Sequence, residues 1–428
     1  VIAEVTGKSY VKMNNLTVNA DQQVANGNYF GGLVANCSEG SGFFDIGTVK
    51  VSSTKNNTVN NDASGGLIGK MEDGVVRLSG TTDLSGIQPG GEDSQYGQLV
   101  GSRNNVLIYA VGTGSNAGWT LVRDGKGKCV SDIGNWGEVI RVDGSKLQED
   151  SAGLVNYDST NHTVTVKSFD CSNISTAQDF AALALTMQCS GANIGGALRF
   201  SSSADLSNQI SLTGDIDLTA TGVTGLMRDN GTQDAFTGSL NGGNHTLTLD
   251  IGDAYGVKAD GTTQCTSADT GCGQIYNHSY IGLFAKTGTN SISNLTVSGN
   301  IHYGLSTQQE IWAGGVTAFQ DAETASYQNV TSDISISFTG GLAADSKETL
   351  KAAHVGGFVG AVSGTPELTF TGCKWTESIT DSATTASDCY LGGYIGSMSP
   401  DGGSITLTNS SIGNGKDKEA SITVNQSG

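Results

Sequence analysis

The sequence predicts an all-β fold: a parallel β-helix, or β-solenoid, built as two units with one short capping helix. Three observations support this prediction: a glycine-bracketed apolar phrase that recurs along the chain, short strands of alternating polarity between its copies, and one segment with a helical pattern. Composition agrees, because 62 of 428 residues are Gly, only 3 are Pro and 15% are charged. An average globular protein carries about a quarter charged residues.

The recurring phrase is an apolar pair bracketed by glycine, and its copies lie about 30 to 40 residues apart within each half of the chain. The copies are 31–35 (GGLVA), 65–69 (GGLIG), 97–101 (GQLVG), 282–285 (GLFA), 314–316 (GGV), 356–360 (GGFVG) and 392–396 (GGYIG). Such spacing indicates a repeat unit shorter than a β-sandwich domain, so a solenoid is favoured over the rival array of sandwiches.

Alternating strands separate the phrases, for example 292–299 (ISNLTVSG), 368–372 (LTFTG) and 405–408 (ITLT). Period-two alternation places one face inward and one outward. One such turn of chain cannot bury its apolar face alone, but stacking on the next turn builds a continuous narrow core. Gly is expected at tight corners, and Asn is expected at corners that need a left-handed backbone conformation.

Residues 175–189 (STAQDFAALALTMQC) form the one segment with a clear helical pattern. Ser175 or Thr176 can cap it, and Phe180, Leu183 and Met187 line one face. A short helix of this kind covers the open end of a solenoid. We therefore predict three regions: a first solenoid unit at 1–105, an irregular β and loop region at 106–170 that completes or flanks it, and a second unit at 171–428 that begins with the helix.

The order of segments after the helix resembles the GLUG-repeat proteins. The resemblance rests on 210–218 (ISLTGDIDL), 236–247 (FTGSLNGGNHTL), 281–284 (IGLF) and 292–297 (ISNLTV). It covers about 180–428 well and about 10–105 more loosely, and Ala35 and Ala285 depart from the repeat's final Gly. It implies a right-handed parallel β-helix in a large secreted or surface-attached microbial protein that works as a stalk or display module. Where such repeats accompany secreted peptidases, the chemistry belongs to a separate domain.

The formal net charge is −19, and no run of Lys or Arg occurs. Phosphate backbones and anionic membranes both need a basic footprint, so we expect no nucleic-acid partner and no polybasic membrane contact. No apolar stretch is long enough to span a bilayer, so direct membrane insertion is not expected. The expected location is extracellular or on the cell surface, with self-association or a surface glycan or protein as partner.

The eight cysteines form an even set without a C-x-x-C pair, which excludes zinc-ribbon and thioredoxin-like interpretations. Their spacing predicts disulfides Cys265–Cys272, Cys171–Cys189 and Cys373–Cys389, with Cys37 and Cys129 left to each other or to a partner chain. An oxidising compartment is the expected setting. The alternative is that the cysteines are reduced, small and buried.

Asn-x-Ser/Thr triplets also favour a secreted protein, although a chain this rich in Asn, Ser and Thr produces several by chance. The candidate glycosylation sites are Asn15, Asn36, Asn56, Asn161, Asn173, Asn230, Asn244, Asn277, Asn294, Asn329, Asn409 and Asn425.

The sequence offers little that is catalytic. It contains no H-E-x-x-H, G-x-S-x-G or P-loop motif, so we predict no catalytic residues. A β-helical lyase or glycosidase would need convergent carboxylates, and the nearest candidates are Asp215 and Asp217 on one strand, which we interpret as solvent-facing. No cofactor is expected. A Ca²⁺ site at Asp250 and Asp253 is the alternative left open.

Exposed aromatic residues would be the platform for sugar binding. Trp119, Trp136, Trp312 and Trp375 are few and are not clustered in the sequence. Trp136 lies in the irregular region and could be on a loop surface, but a buried packing role is the favoured interpretation for it. We therefore expect a non-enzymatic extracellular structural or adhesive protein: an adhesin stalk, or the subunit of a filament, sheath or surface layer. The alternatives are a carbohydrate-binding module, which predicts an aromatic stripe along one face, and last a polysaccharide lyase or hydrolase.

Overall fold

A computed structural model describes a large part of the chain, in segments separated by gaps. The described residues are 1–7, 9–19, 29–38, 42–52, 63–86, 96–97, 99–111, 119–122, 139–142, 155–158, 160, 163–166, 169–188, 209–219, 235–252, 280–304, 310–321, 324–340, 352–383, 388–400, 402–413 and 420–424.

Almost all regular structure is β, and the strands of the first 142 residues form one stack. They are β1 Ile2–Thr6, β2 Ser9–Met13, β3 Leu16–Asn19, β4 Tyr29–Gly31, β5 Val34–Ser38, β6 Gly42–Ile46, β7 Val49–Ser52, β8 Ala63–Gly65, β9 Ile68–Leu78, β10 Gly80–Gly86, β11 Tyr96–Gly97, β12 Val100–Val111, β13 Trp119–Val122 and β14 Val139–Val142. Three sheets result, in the orders β1-β5-β9-β12-β14 with β2 and β6 alongside, β13-β10-β7-β3, and β11-β8-β4. Every pairing within them is parallel.

A hairpin and a helix follow. The hairpin is β15 Val155–Asp158 with β16 Thr163–Val166, which pair antiparallel. The helix is α1 Ala177–Gln188, close to the predicted 175–189. The Asp179 backbone N–H donates to Thr176 Oγ1 (3.1 Å), and that hydroxyl donates to the Asp179 carboxylate (2.7 Å), so Thr176 is the N-cap. The region predicted as irregular therefore contains strands β13 to β16, of which β13 and β14 join the first stack.

The strands after the helix form a second stack. They are β17 Ile210–Ser211, β18 Ile216–Asp217, β19 Ser239–Gly252, β20 Tyr280–Ile281, β21 Phe284–Thr287, β22 Asn290–Gly304, β23 Glu310–Gly314, β24 Thr317–Gln320, β25 Thr324–Gly340, β26 Ala352–Gly356, β27 Val359–Gly364, β28 Glu367–Thr371, β29 Lys374–Trp375, β30 Ser378–Ala383, β31 Cys389–Gly392, β32 Ile395–Pro400, β33 Ser404–Thr408, β34 Ser411–Ile412 and β35 Ser421–Val424. Its sheets run β17-β19-β22-β25-β28-β33 with shorter strands alongside, β20-β23-β26-β31, and β21-β24-β27-β32.

Each set of consecutive strands pairs, strand for strand and in parallel, with the next set; we call each set a rung. Thus β20, β21 and β22 pair with β23, β24 and β25, which pair in turn with β26, β27 and β28. The all-β prediction is confirmed, and the pairing is parallel. β-Sandwiches are antiparallel, so the rival interpretation does not describe these sheets.

The recurring glycine phrase marks the corner between two sheets, where the backbone turns tightly. A Cβ on Gly356 would lie 1.9 Å from the carbonyl oxygen of Val359 and 2.8 Å from the backbone nitrogen of Gly396 on the next rung. No side chain fits there, so glycine is required. The apolar residues that follow turn inward: Phe358 and Val359 are fully buried.

Asparagine occupies a second kind of corner, in the left-handed region of backbone space. Asn15, Asn244, Asn294, Asn329 and Asn409 have φ between 51° and 64°. Asn329 Nδ2 donates to Asn294 Oδ1 (3.2 Å), and Asn294 Nδ2 donates to Asn241 Oδ1 (3.3 Å), so the amides form a ladder along the stack. On the next rung, Gly372 takes the position equivalent to Asn329, and its φ is 66°. The expectation that Asn adopts this conformation at corners is confirmed.

Helix α1 is more deeply buried than a one-faced helix. The five consecutive residues from Phe180 to Ala184 are each at most 1% exposed. At 100° per residue these positions surround the helix, so apolar groups enclose it on every side. Its cluster contains Ile174 and Ile210 of the second stack together with Phe43 and Val75 of the first. The helix therefore belongs to a core that joins the two stacks, rather than presenting only one amphipathic face.

The predicted Cys373–Cys389 disulfide is wrong. Cys373 is buried at the corner between β28 and β29, and its thiol donates to the carbonyl oxygen of Tyr327 (3.3 Å). Cys389 lies on β31, in a different sheet. No disulfide joins any two of the described cysteines, which are Cys37, Cys171, Cys373 and Cys389.

The other four cysteines, Cys129, Cys189, Cys265 and Cys272, lie outside the described residues. Each of the remaining pairings, Cys171–Cys189, Cys265–Cys272 and Cys37–Cys129, involves at least one of them. Those pairings stay predictions.

The asparagine corner yields a direct stability test. Asn329→Ala should lower the free energy of unfolding by about 1–2 kcal/mol, because an L-residue without a compensating side chain resists this conformation. Asn329→Gly should cost clearly less, since glycine adopts positive φ without strain. Chemical denaturation of the two variants checks this; equal losses would mean that the amide hydrogen bonds, and not the backbone conformation, select Asn.

Candidate functional site

A row of aromatic rings runs along the outer side of the sheet β20-β23-β26-β31. Tyr280, Trp312, His354 and Tyr390 are directly opposite one another on successive strands. Their ring centroids lie 4.8, 5.9 and 4.8 Å apart and their planes are within 12° of parallel. The first three rings are partly exposed, and Tyr390 is 45% exposed. We call this set the aromatic row.

The stacking decides which ring surfaces remain available. Because each ring lies face to face with the next, the row presents ring edges to solvent along its length. Phe319 on β24 packs against two of these rings. Its ring centroid lies 5.8 Å from those of Tyr280 and Trp312, and both contacts are edge-to-face. The row is therefore not the flat platform of exposed ring faces on which sugars usually stack.

Polar groups border the row on the neighbouring sheet. Lys286 Nζ lies 3.0 Å from the Asp321 carboxylate and 5.8 Å from the centre of the Phe319 ring. Ser363 donates to Asp321 (3.3 Å), and His354 Nδ1 is hydrogen-bonded to the Ser397 hydroxyl (2.6 Å). The cation and the anion offset one another, so this border suits a neutral, hydroxyl-rich ligand better than a charged one.

The sequence contains a signal for this row, but the positions of the tryptophans alone do not show it. Each ring lies two residues before the first glycine of a corner phrase, as in Trp312-Ala313-Gly314. Tyr29 has the same place in the first stack, where Lys70 Nζ lies 5.2 Å from the centre of its ring. Trp312 thus belongs to a surface row, whereas Trp375 is buried at 1% exposure. The side chain of Trp119 and all of Trp136 lie outside what the structure describes.

The two acidic candidates for catalysis do not converge. Asp215 accepts the backbone N–H of Thr246 (2.8 Å) and lies 3.4 Å from His245 Nδ1, whereas Asp217 accepts from the backbone and hydroxyl of Thr219. The N–H of Thr246, aided by His245, lowers the pKa of Asp215. A general acid for glycoside cleavage needs the opposite shift, so the arrangement does not favour that chemistry.

The proposed calcium site is only half described. Asp250 Oδ1 lies 3.4 Å from His302 Nδ1, and Asp253 is outside the described residues. Within the described segments, no group of three or more His, Cys, Asp or Glu side chains is placed to hold a metal ion. In the same segments, no helix combines the length and the apolarity that crossing a membrane requires.

The described glycosylation candidates coincide with structural corners. Five of them are the left-handed asparagines. At three of these, Asn15, Asn294 and Asn329, Asn is followed by Leu or Val and then by Thr, and at Asn244 and Asn409 the next residue is His245 or Ser410. Asn36 instead donates to Glu4 (3.1 Å), and Asn173 accepts from Thr213 (2.5 Å). The corner thus explains the triplet without a glycan, and glycosylation stays a prediction. Asn56, Asn161, Asn230, Asn277 and Asn425 lie outside the described residues.

A polar cluster lies inside the second stack, where the sequence predicted only an apolar core. Gln320 Oε1 accepts from the Thr287 hydroxyl (2.7 Å) and from Asn290 Nδ2 (3.0 Å), and its Nε2 donates to the Gly288 carbonyl (2.7 Å). The Tyr327 hydroxyl is hydrogen-bonded to the Thr317 hydroxyl at 3.1 Å. Burial raises the pKa of Tyr327 to about 12. The cluster fixes the alignment of two rungs, since a slipped rung would leave these groups unpaired.

No family model matches the chain, and comparison with the curated proteins and with the solved structures found no match.

The buried tyrosine predicts an alkaline limit to stability. Its pKa is raised above the ordinary value of 10.0, so above pH 10 the unfolded chain loses the phenolic proton first and stability falls until about pH 12. The loss is on the order of 2–3 kcal/mol. Denaturation between pH 9 and 12 should show a shallower decline for Tyr327→Phe. If that variant declines as steeply as the wild type, the source of the alkaline loss lies elsewhere.

Proposed function

We propose that the two stacks are β-solenoids and that the chain is a non-enzymatic extracellular protein with a structural or adhesive role. It would serve as a cell-surface adhesin stalk or as a subunit of a filament, sheath or surface layer. The observation that carries the proposal is the parallel pairing of successive rungs in all three sheets of the second stack, with equivalent residues opposite one another. The register shifts between β19 and β22, at Asn241 and His245.

This construction suits a load-bearing or spacing role better than a catalytic one. Each rung contacts only its neighbours, so length is gained by adding rungs while the cross-section stays constant. The surface is largely uncharged and polar, with 15% charged residues overall. The resemblance to GLUG repeats, which we propose as the family, supports the same role in secreted or surface-attached proteins.

Electron microscopy of the purified, non-reduced chain tests the proposed role. We expect rods of uniform width in negative stain, with no release of reducing ends from a panel of neutral and acidic polysaccharides. A compact globule would contradict the solenoid, and turnover of any polysaccharide would contradict the non-enzymatic role. Reduced protein is the matched control, since loss of the rod on reduction would show that disulfides involving the remaining cysteines are needed.

A carbohydrate-binding role is the second candidate, and the aromatic row is the observation that favours it. The row runs along one face, as that alternative requires, and its border carries hydroxyl groups and an internally compensated ion pair. A ligand lying along it would contact ring edges and the terminal face of Tyr390. The net charge of −19 favours a neutral glycan over an acidic one.

Affinity electrophoresis in gels containing neutral polysaccharides distinguishes this candidate. Trp312→Ala should abolish any retardation of the wild type, because it interrupts the middle of the row. Gln328→Ala, an exposed position on β25 in another sheet, is the matched control and should migrate as the wild type does. Absence of retardation for the wild type in every gel would remove the candidate.

A further inference from the structure

The aromatic row and its polar border repeat with the same period, which is that of the rung. Each of four consecutive rungs supplies one ring of the row and one polar side chain of the border: Tyr280 with Lys286, Trp312 with Asp321, His354 with Ser363, and Tyr390 with Ser397. Because neighbouring rungs are about 4.7–4.9 Å apart, the two lines of groups run side by side along the stack. A linear polymer with a similar repeat would meet equivalent groups on every rung.

The polar border is continuous across three of these rungs. Lys286 Nζ lies 3.0 Å from the Asp321 carboxylate, and the Ser363 hydroxyl donates to the same carboxylate (3.3 Å). On the fourth rung, the Ser397 hydroxyl is hydrogen-bonded to His354 Nδ1 (2.6 Å), which ties the border to the row. The border therefore presents hydrogen-bonding groups, and its ion pair is internally compensated.

Charge around the row disfavours an acidic ligand. Glu310 and Asp388 precede Trp312 and Tyr390 by two positions in the sequence, and the chain as a whole carries a net charge of −19. A polymer of uronic acids would be repelled by this field, whereas a neutral glycan is not affected by it.

The stacking of the rings decides which part of a sugar they can contact. Ring edges carry the positive end of the aromatic quadrupole, so they attract the oxygen atoms of hydroxyl groups. The apolar face of a sugar would need an exposed ring face instead. In an extended β-1,4-linked chain, the hydroxyl groups lie along the two margins of a flat ribbon. The row therefore suits the margin of such a ribbon rather than its face.

We propose that the aromatic row binds the margin of one neutral, extended β-1,4-linked polysaccharide (a glucan, xylan or mannan) that lies along the stack with about one sugar per rung. Each sugar of such a chain advances by a distance similar to the separation of the rungs, so the match is kept along the row. An α-1,4-linked glucan coils and loses the match along its length. The inference rests on the carbohydrate-binding candidate, which it deepens by naming the linkage, the charge and the direction of the glycan.

Isothermal titration of the 428-residue chain with cello- and manno-oligosaccharides, from disaccharide to hexasaccharide, tests the proposal. The affinity should rise by about tenfold or more between the disaccharide and the tetrasaccharide, because the longer ligand reaches four rungs instead of two. Malto-oligosaccharides of the same lengths are the matched α-linked controls and should bind at least about tenfold more weakly. High salt should leave the affinity unchanged, since the ligand carries no charge.

Variants of the row locate the contact. Trp312→Ala should remove the gain in affinity with ligand length, because it separates Tyr280 from His354. Trp312→Phe keeps a ring at this position and should keep most of that gain. Gln328→Ala, at an exposed position on β25 in another sheet, should bind as the wild type does. Thermal unfolding of each variant verifies that the fold is retained.

The possible failures separate the levels of the argument. Malto-oligosaccharides that bind equally well would overturn the linkage and leave a carbohydrate-binding role in place. An affinity that does not grow with ligand length, or one that Trp312→Ala retains in full, would overturn binding along the row. If no oligosaccharide binds, the inference and the carbohydrate-binding candidate both fall. None of these results alters the rod expected in electron microscopy, so they are distinguishable from failure of the proposed stalk.

Discussion

The parallel, in-register pairing of successive rungs is the constraint on which the rest of the structure depends. It sets equivalent residues about 4.7–4.9 Å apart, so each position belongs to a column that repeats along the stack. The side chains of one column contact one another, so they must be of similar character. Inner columns are apolar, as in Ile292, Tyr327 and Phe370, and outer columns are aromatic or hydroxyl-bearing. Corner glycines answer a second, local constraint, because a Cβ at Gly356 would collide with the carbonyl oxygen of Val359 in the same rung and with the backbone of Gly396 in the next.

The buried polar cluster shows how the constraint is kept specific. Uniform apolar columns would tolerate a slipped rung, since any apolar residue packs on any other. Gln320 interrupts its column, in which Val362 takes the equivalent position on the next rung, and it pairs with Thr287 on the rung before. A one-rung shift would bury an unpaired amide against valine, at a cost of about 1–3 kcal/mol. The buried polar groups thus contribute less to stability than apolar side chains would, but they define how successive rungs align.

Sequence patterns predicted the elements whose signal is local. The helix was visible because its cap and its apolar residues are adjacent in the chain, and the corners were visible because glycine tolerates what other residues do not. The aromatic row was missed because its members are 32 to 42 residues apart and meet only once the register is known. The Cys373–Cys389 pairing failed for a related reason: sequence spacing carries no information about which sheet a residue joins. The polar cluster unites residues of two rungs, and nothing in either segment alone indicates that they are buried together.

The asparagine corners show why a motif can be frequent without serving its usual function. A corner in this fold needs a residue that tolerates positive φ, then an inward apolar residue, then an outward polar residue that favours strands. At Asn15, Asn294 and Asn329, the order Asn, Leu or Val, and Thr meets these needs, and the same order is an acceptor triplet for glycosylation. Asn294 and Asn329 already use their amides in the ladder between rungs. Backbone geometry alone therefore accounts for the triplets at these corners, and a glycan there would have to be accommodated beside an amide that also holds two rungs together.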